Sequence, residues 1–133
     1  MQAAVDTHVP CDESSPRRAR EFVADVLTRA SVTPRTRDDA VLLVSEVVTN
    51  AVRHAHSDAV IAVNVSDEHL RIGVTDQGPG WPEEQSYADT VPRCQPGGLG
   101  LQLVAELAGR WGTYRVGEGK TVWFELSPVD STA

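Results

Sequence analysis

Apolar residues recur along this chain with two different periods. Between residues 14 and 30, Ala19, Phe22, Val23, Val26 and Leu27 fall three and four places apart, the spacing of one helix face. Ser14-Ser15-Pro16 precedes them and offers a serine cap with a proline in the first turn, so the pattern predicts a helix to about Ala30. Thr33-Pro34 interrupts it. A second helix is predicted from about Thr36 to Ala55, a stretch without glycine or proline. The period then shortens. Ala59–Val65 and Leu70–Thr75 are short and rich in β-branched residues, and Asp67-Glu68-His69 between them predicts a hairpin. Val5 to Val9 alternates in the same way and reads as an edge strand.

Residues 76–97 hold glycines, prolines and mixed polar residues, which predicts a long loop. Gly98 to Ala108 reads as a third helix, with Leu101, Val104, Ala105 and Ala108 on one side. Trp111–Val116 and Lys120–Leu126 then flank Gly117-Glu118-Gly119, a hairpin signal. The order β-α-α-β-β-loop-α-β-β lacks regular βαβ alternation. It predicts an α+β fold: a two-layer sandwich whose mixed, mostly antiparallel sheet carries its helices on one face. The missing βαβ alternation rules against a Rossmann or P-loop domain, and no GxxxxGK[ST] motif occurs.

Composition sharpens this only in part. The chain has 133 residues, which fits one domain able to bury a core without disulfides or a structural metal. Aromatic residues make up 5% of it, so that core must rest on Val, Leu, Ile and Ala. The formal net charge of −7 argues against nucleic acid or an anionic membrane as partner, while leaving a basic patch on another protein open. Cys11 and Cys94 are the only cysteines, and with four scattered histidines they form no metal-ligand pattern. With no signal-like start and no long apolar run, a soluble, cytoplasmic protein is expected.

The second predicted helix carries the first candidate chemistry. At about 100° per residue, Val41, Val44, Val48, Ala51 and Ala55 share one face, while Glu46, Asn50 and His54 lie on the opposite side with Arg53 beside them. An amphipathic helix with a solvated polar side explains this equally well, except that Leu43 and Val47 flank the polar group. An Asn carbonyl suits a hard cation such as Mg²⁺, and a Glu one turn away can take a proton from an attacking hydroxyl.

Three glycine motifs follow. Asp76-Gln77-Gly78-Pro79-Gly80 ends a strand with a carboxylate that can bind an amino group and glycines that let a flat ring approach. Gly97-Gly98-Leu99-Gly100-Leu101 opens a helix, where exposed N–H groups attract phosphate. Gly119-Lys120-Thr121-Val122-Trp123-Phe124 enters the last strand. Taken singly, these are also an ordinary turn, a helix cap and a hairpin.

In this order, the four motifs resemble the N, G1, G2 and G3 boxes of the GHKL ATPase superfamily, whose domain is the Bergerat fold. Within it they are similar to the bacterial anti-sigma-factor serine/threonine kinases. Val44-Ser45-Glu46-Val47-Val48-Thr49-Asn50-Ala51 and Gly119-Lys120-Thr121-Val122-Trp123-Phe124-Glu125-Leu126 are the most alike. The resemblance spans roughly residues 15–126 of a single histidine-kinase-like ATPase domain over 1–133. It implies that Glu46 is the general base and that Asn50 binds ATP through Mg²⁺. It also implies that Asp76 binds the adenine amino group, with Gly78, Gly80 and Thr121 around the base. Gly98, Leu99, Gly100 and Leu101 would cradle phosphates, with Arg53 beside the nucleotide. Arg93, the one cation in a short lid between Gly80 and Gly97, is the candidate for the β/γ-phosphates. The implied activity is transfer of the ATP γ-phosphate to an anti-anti-sigma (STAS-type) protein by a homodimer that also sequesters a sigma factor. The alternative is an ATP-binding regulatory module without significant turnover. No phospho-acceptor helix pair precedes the domain and no second domain follows it, which disfavours histidine-kinase and gyrase-like readings.

Overall fold

The computed structural model describes residues 3–55, 57–77, 106–117 and 119–128. Five strands form one sheet in the order β1-β2-β3-β5-β4. They are β1 (Ala3–Val9), β2 (Ala59–Val65), β3 (Leu70–Asp76), β4 (Arg110–Val116) and β5 (Gly119–Leu126). Each neighbouring pair is antiparallel. The helices α1 (Ser15–Arg29) and α2 (Pro34–Asn50) pack on each other and on the sheet, which makes the two-layer α+β fold that the sequence predicts.

Alternation decides which face is covered. Ala59, Ile61, Val63 and Val65 of β2 are buried, as are Leu70, Ile72 and Val74 of β3 and Val122, Phe124 and Leu126 of β5. These residues share the helix side because strand side chains alternate and the register sets Ile72 opposite both Val63 and Phe124. From α1, Ala19, Val23 and Leu27 reach full burial at four-residue spacing. Burying side chains of this size contributes about 1.5–3 kcal/mol each.

Local details differ from the sequence expectation at the helix ends. Ser14 precedes α1 but makes no side-chain cap; its hydroxyl and its N–H both donate to Asp12 Oδ1 instead. The Ser15 hydroxyl turns back to the Pro10 carbonyl. At its far end α1 closes through Ser31, at φ 62°, with Val32 N–H bonded to the Leu27 carbonyl and Ser31 N–H to that of Thr28. The second helix does not stay α-helical to Ala55: α2 ends at Asn50 and Ala51–Ala55 form a π-helical turn. Just before it, Thr49 Oγ1 donates to the Ser45 carbonyl at 2.7 Å, a side-chain bond to i−4 of the kind that bends helices. Of the predicted third helix, Glu106 and Leu107 are described and helical, with Leu107 and Ala108 packed on the core.

The two glycines of the last hairpin have different reasons to be glycine. Gly117 sits at φ +58° in open space, where a side chain meets nothing within 4 Å. A Cβ on Gly119 would lie 1.8 Å from the Asp76 carbonyl oxygen. Close approach of β5 to the end of β3 therefore requires a bare Cα. Gly119→Ala is expected to lower stability by about 3 kcal/mol, the upper range of overpacking. Gly117→Ala is expected to lose only the about 1 kcal/mol of a left-handed residue. Urea midpoints at constant m-value check both, and equal losses would contradict the packing account.

Candidate functional site

Connectivity gathers one end of the sheet. The π-helical turn after α2 leads through Ser57 and Asp58 straight into Ala59, which pairs with Asp76 at the end of β3. Gln77 N–H, the residue after Asp76, donates to Ser57 Oγ at 3.1 Å and ties the two connections together. Asp58 holds the exit of β1 through Cys11 N–H at 2.9 Å and His8 Nε2 at 3.1 Å. Gly119 and Lys120 start β5 at the same end, opposite Val116 and Arg115 of β4. The end of α2 and the end of β3 thus border one region.

On α2 the buried arc is wider than the wheel predicts. Leu43, Val44, Val47, Val48 and Ala51 are all buried, whereas Val41 is only partly so. The helix packs against α1 on its flank and against β3 and β5 of the sheet, so two neighbours cover it rather than one. Asn50 consequently sits on the border of the covered arc, only 6% exposed, while Glu46 one turn earlier is half-buried. Arg53 is exposed on the π-helical turn. Arg20 of α1 donates to Ser45 Oγ at 2.9 Å, beside Glu46 in sequence.

The Asn50 side-chain Nδ2 is buried and has no hydrogen-bond partner. A buried donor without an acceptor costs about 1–3 kcal/mol, so this amide is poised for a group that brings one. A phosphate oxygen satisfies Nδ2, and rotation of the amide about χ2 offers Oδ1 to a hard cation instead. Among the described residues no group of three or more His, Cys, Asp or Glu is placed to hold a metal. A single amide oxygen suits Mg²⁺, which keeps most of its waters and leans on a nucleotide's phosphate oxygens. Asn50 therefore fits the role.

At the strand end, Asp76 and Lys120 face each other. The register sets them directly opposite, and Lys120 Nζ donates to Asp76 Oδ2 at 2.6 Å with both side chains at least nine-tenths buried. Burial pushes the Lys120 ammonium below its ordinary pKa, against the hydrogen bond and charge of Asp76, which hold it up. Thr121 is next in sequence and therefore points to the other face of the sheet, where its hydroxyl meets Thr75 Oγ1 at 2.6 Å. Asp76 is thus met by Lys120, a residue the motif reading passed over in favour of Thr121. The signal was present in the alternation of β5: Val122, Phe124 and Leu126 are apolar, and Lys120 is in phase with them.

Gly78, Gly80, Arg93, Gly98, Leu99, Gly100 and Leu101 lie outside the described residues, as does the lid between Gly80 and Gly97. The structure thus brings Asp76 and Lys120 together and places Glu46, Asn50 and Arg53 on the helical segment that leads into β2, the strand beside β3.

Removing one member of a buried ion pair strands the other charge. Asp76→Asn and Lys120→Met are each expected to cost about 3–5 kcal/mol, and the double variant to recover most of the loss. A double-mutant cycle in urea reads the coupling. Additive single losses would mean the pair makes no net contact.

Comparison with known proteins agrees with this fold. The model of the histidine kinase-like ATPase domain matches residues 9–126. The serine-protein kinase RsbW of Bacillus velezensis is 28% identical over 116 residues, an overlap covering 77% of this chain and 72% of that protein. The RsbU and RsbW domains of a Mycobacterium tuberculosis protein superpose with a TM-score of 0.71 at 16% identity, covering 94% of this chain but 32% of that one. The catalytic domain of the histidine kinase ThkA gives a TM-score of 0.60 at 17% identity, over 96% of this chain and 99% of that one. At such identities the two structures speak for the fold. With the family model spanning nearly the whole chain, the protein belongs to the histidine kinase-like ATPase domain family.

Proposed function

We propose that this protein is an ATP-dependent serine/threonine kinase of the anti-sigma-factor type, acting in the cytoplasm as a homodimer. It binds Mg-ATP, sequesters a sigma factor and phosphorylates a STAS-type anti-anti-sigma protein. The observation that carries the reading is the orphaned Asn50 amide, buried one turn after Glu46 at the end of α2 and at the same end of the sheet as Asp76. Family membership and the likeness to RsbW, a protein named as a serine-protein kinase, support it.

In this reading the chain's own groups divide the work. Asp76 accepts a hydrogen bond from the adenine amino group. Asn50 holds Mg²⁺, which neutralises phosphate charge when bound. Gly78 and Gly80 admit the base, with Thr121 on the strand behind it. Gly98, Leu99, Gly100 and Leu101 cradle phosphates through backbone N–H groups, assisted by Arg53 and Arg93. Glu46, half-buried, accepts the proton of the partner's hydroxyl as the hydroxyl oxygen bonds to the γ-phosphorus and the bond to the β-bridging oxygen breaks, releasing ADP. Positioning and charge neutralisation carry most of such a reaction, so one base and one metal ligand suffice.

Wild type and Glu46→Gln, each incubated with Mg-ATP and a STAS-type partner, test this by mass spectrometry of the partner. The wild type is expected to add one phosphate to a serine or threonine. Glu46→Gln is expected to be slower by about 10²–10⁴-fold with nucleotide affinity retained. Equal rates would remove Glu46 from the chemistry, and no transfer by the wild type would leave a nucleotide-binding regulatory module.

A further inference from the structure

Lys120 is the only lysine of the chain, and it is buried at the carboxylate assigned above to the base. Because β3 and β5 pair with Asp76 opposite Lys120, any group that reaches Asp76 also meets the ammonium beside it. Two outcomes are then open to an arriving amine: it displaces Lys120, or it docks on the intact pair. Pulling one partner out of a buried ion pair costs more than a single hydrogen bond from a neutral amine to a carboxylate returns. The pair therefore stays closed, and the ligand is read by both of its members.

We propose that Lys120 is a specificity-determining residue of the nucleotide site: with Asp76 it forms an acceptor–donor couple that reads two adjacent atoms on the edge of the base. The inference rests on the nucleotide reading and adds a residue to it. A carboxylate only accepts and an ammonium only donates, so the couple demands an N–H next to a bare ring nitrogen. Adenine presents that order in its 6-amino group and N1. Guanine and hypoxanthine present the reverse, a carbonyl oxygen next to an N–H, and in the same pose they set acceptor against carboxylate and donor against ammonium. Buried groups of fixed polarity reject such a mismatch strongly, because lone pair is set against lone pair and N–H against N–H with little water to separate them. Gly119 contributes by bringing the β5 backbone against Asp76, which fixes where Lys120 leaves the strand.

The test is calorimetric binding of Mg-ATP and Mg-1-deaza-ATP, whose N1 is replaced by C–H, to the wild type, Lys120→Met and Lys120→Arg. The wild type is expected to bind the deaza analogue about tenfold more weakly or worse, the loss of one hydrogen bond to a charged donor. Lys120→Met is expected to bind the two nucleotides equally, at the level the wild type shows for the analogue, while Lys120→Arg keeps the discrimination. Should Lys120→Met not fold, the wild type and Lys120→Arg decide between them. Equal affinities in the wild type overturn the inference. So do an unchanged ratio in Lys120→Met and a tighter grip on ATP there, the latter marking Lys120 as a bolt that ATP must displace; in both cases ATP binding leaves the nucleotide reading standing. A wild type that binds neither nucleotide overturns that reading, and this inference with it.

Discussion

The antiparallel pairing of β3 with β5 brings together residues 44 places apart in sequence and sets the end of the sheet on which everything else is built. One register satisfies two demands at once. It puts Ile72 and Val74 level with Phe124 and Val122, so the apolar faces of both strands turn to the helices, and it puts Asp76 level with Lys120, so two buried charges meet. A slip of one residue would turn every β5 side chain to the other face and leave Asp76 opposite a residue that cannot neutralise it. Gly119 makes the register possible by letting the β5 backbone lie against the Asp76 carbonyl. A buried ion pair adds little to stability relative to a well-packed apolar pair, yet it penalises every alternative arrangement heavily. The pair thus helps to lock the register, together with the Thr75–Thr121 hydroxyl bond and the Arg71–Glu125 ion pair across the same two strands.

Helix and strand ends meet at this lock. The π-helical turn that follows Asn50 hands the chain to β2 within four residues, and β2 lies beside β3. An amide from the helical layer and a carboxylate with its lysine from the sheet therefore border the same region without any long loop to position them. The arrangement holds polar groups stiffly: Asn50, Asp76 and Lys120 are each at least nine-tenths buried, in elements whose other residues form the core. Groups fixed in this way lose little freedom when a ligand arrives, which is what positional chemistry needs.

Much of this was legible in the sequence, and the misses share a physical cause. The strands were readable because Ala59–Val65 and Leu70–Thr75 are short and rich in β-branched residues, and α1 because Ala19, Val23 and Leu27 stand four apart. Glu46, Asn50 and Asp76 stood out as candidates by residue type and order. Facing was harder. A helical wheel assigns one covered side, but α2 has neighbours on two, so Asn50 came out buried where a polar face was expected. Lys120 was passed over for Thr121 because which of two adjacent strand residues meets Asp76 depends on a register made across 44 residues. The serines before α1 looked like a cap, yet Asp12 and the Pro10 carbonyl compete for their hydroxyls. For Asn50 and Lys120 the missing information was a tertiary neighbour, which local propensity does not carry, and for the serines it was a competing acceptor two or five residues upstream.

The central claim is that the end of α2 and the end of β3 together hold a magnesium nucleotide. Calorimetric titration of ATP into the purified protein, with and without Mg²⁺ and alongside Asn50→Ala, tests it most directly. The account predicts saturable, magnesium-dependent binding by the wild type that is lost or reduced about tenfold or more in Asn50→Ala, whose truncated side chain no longer offers a ligand oxygen. Saturable binding of equal strength in both proteins, or binding indifferent to magnesium, would contradict the place given to Asn50. No binding by the wild type under any magnesium condition would contradict the nucleotide site as a whole.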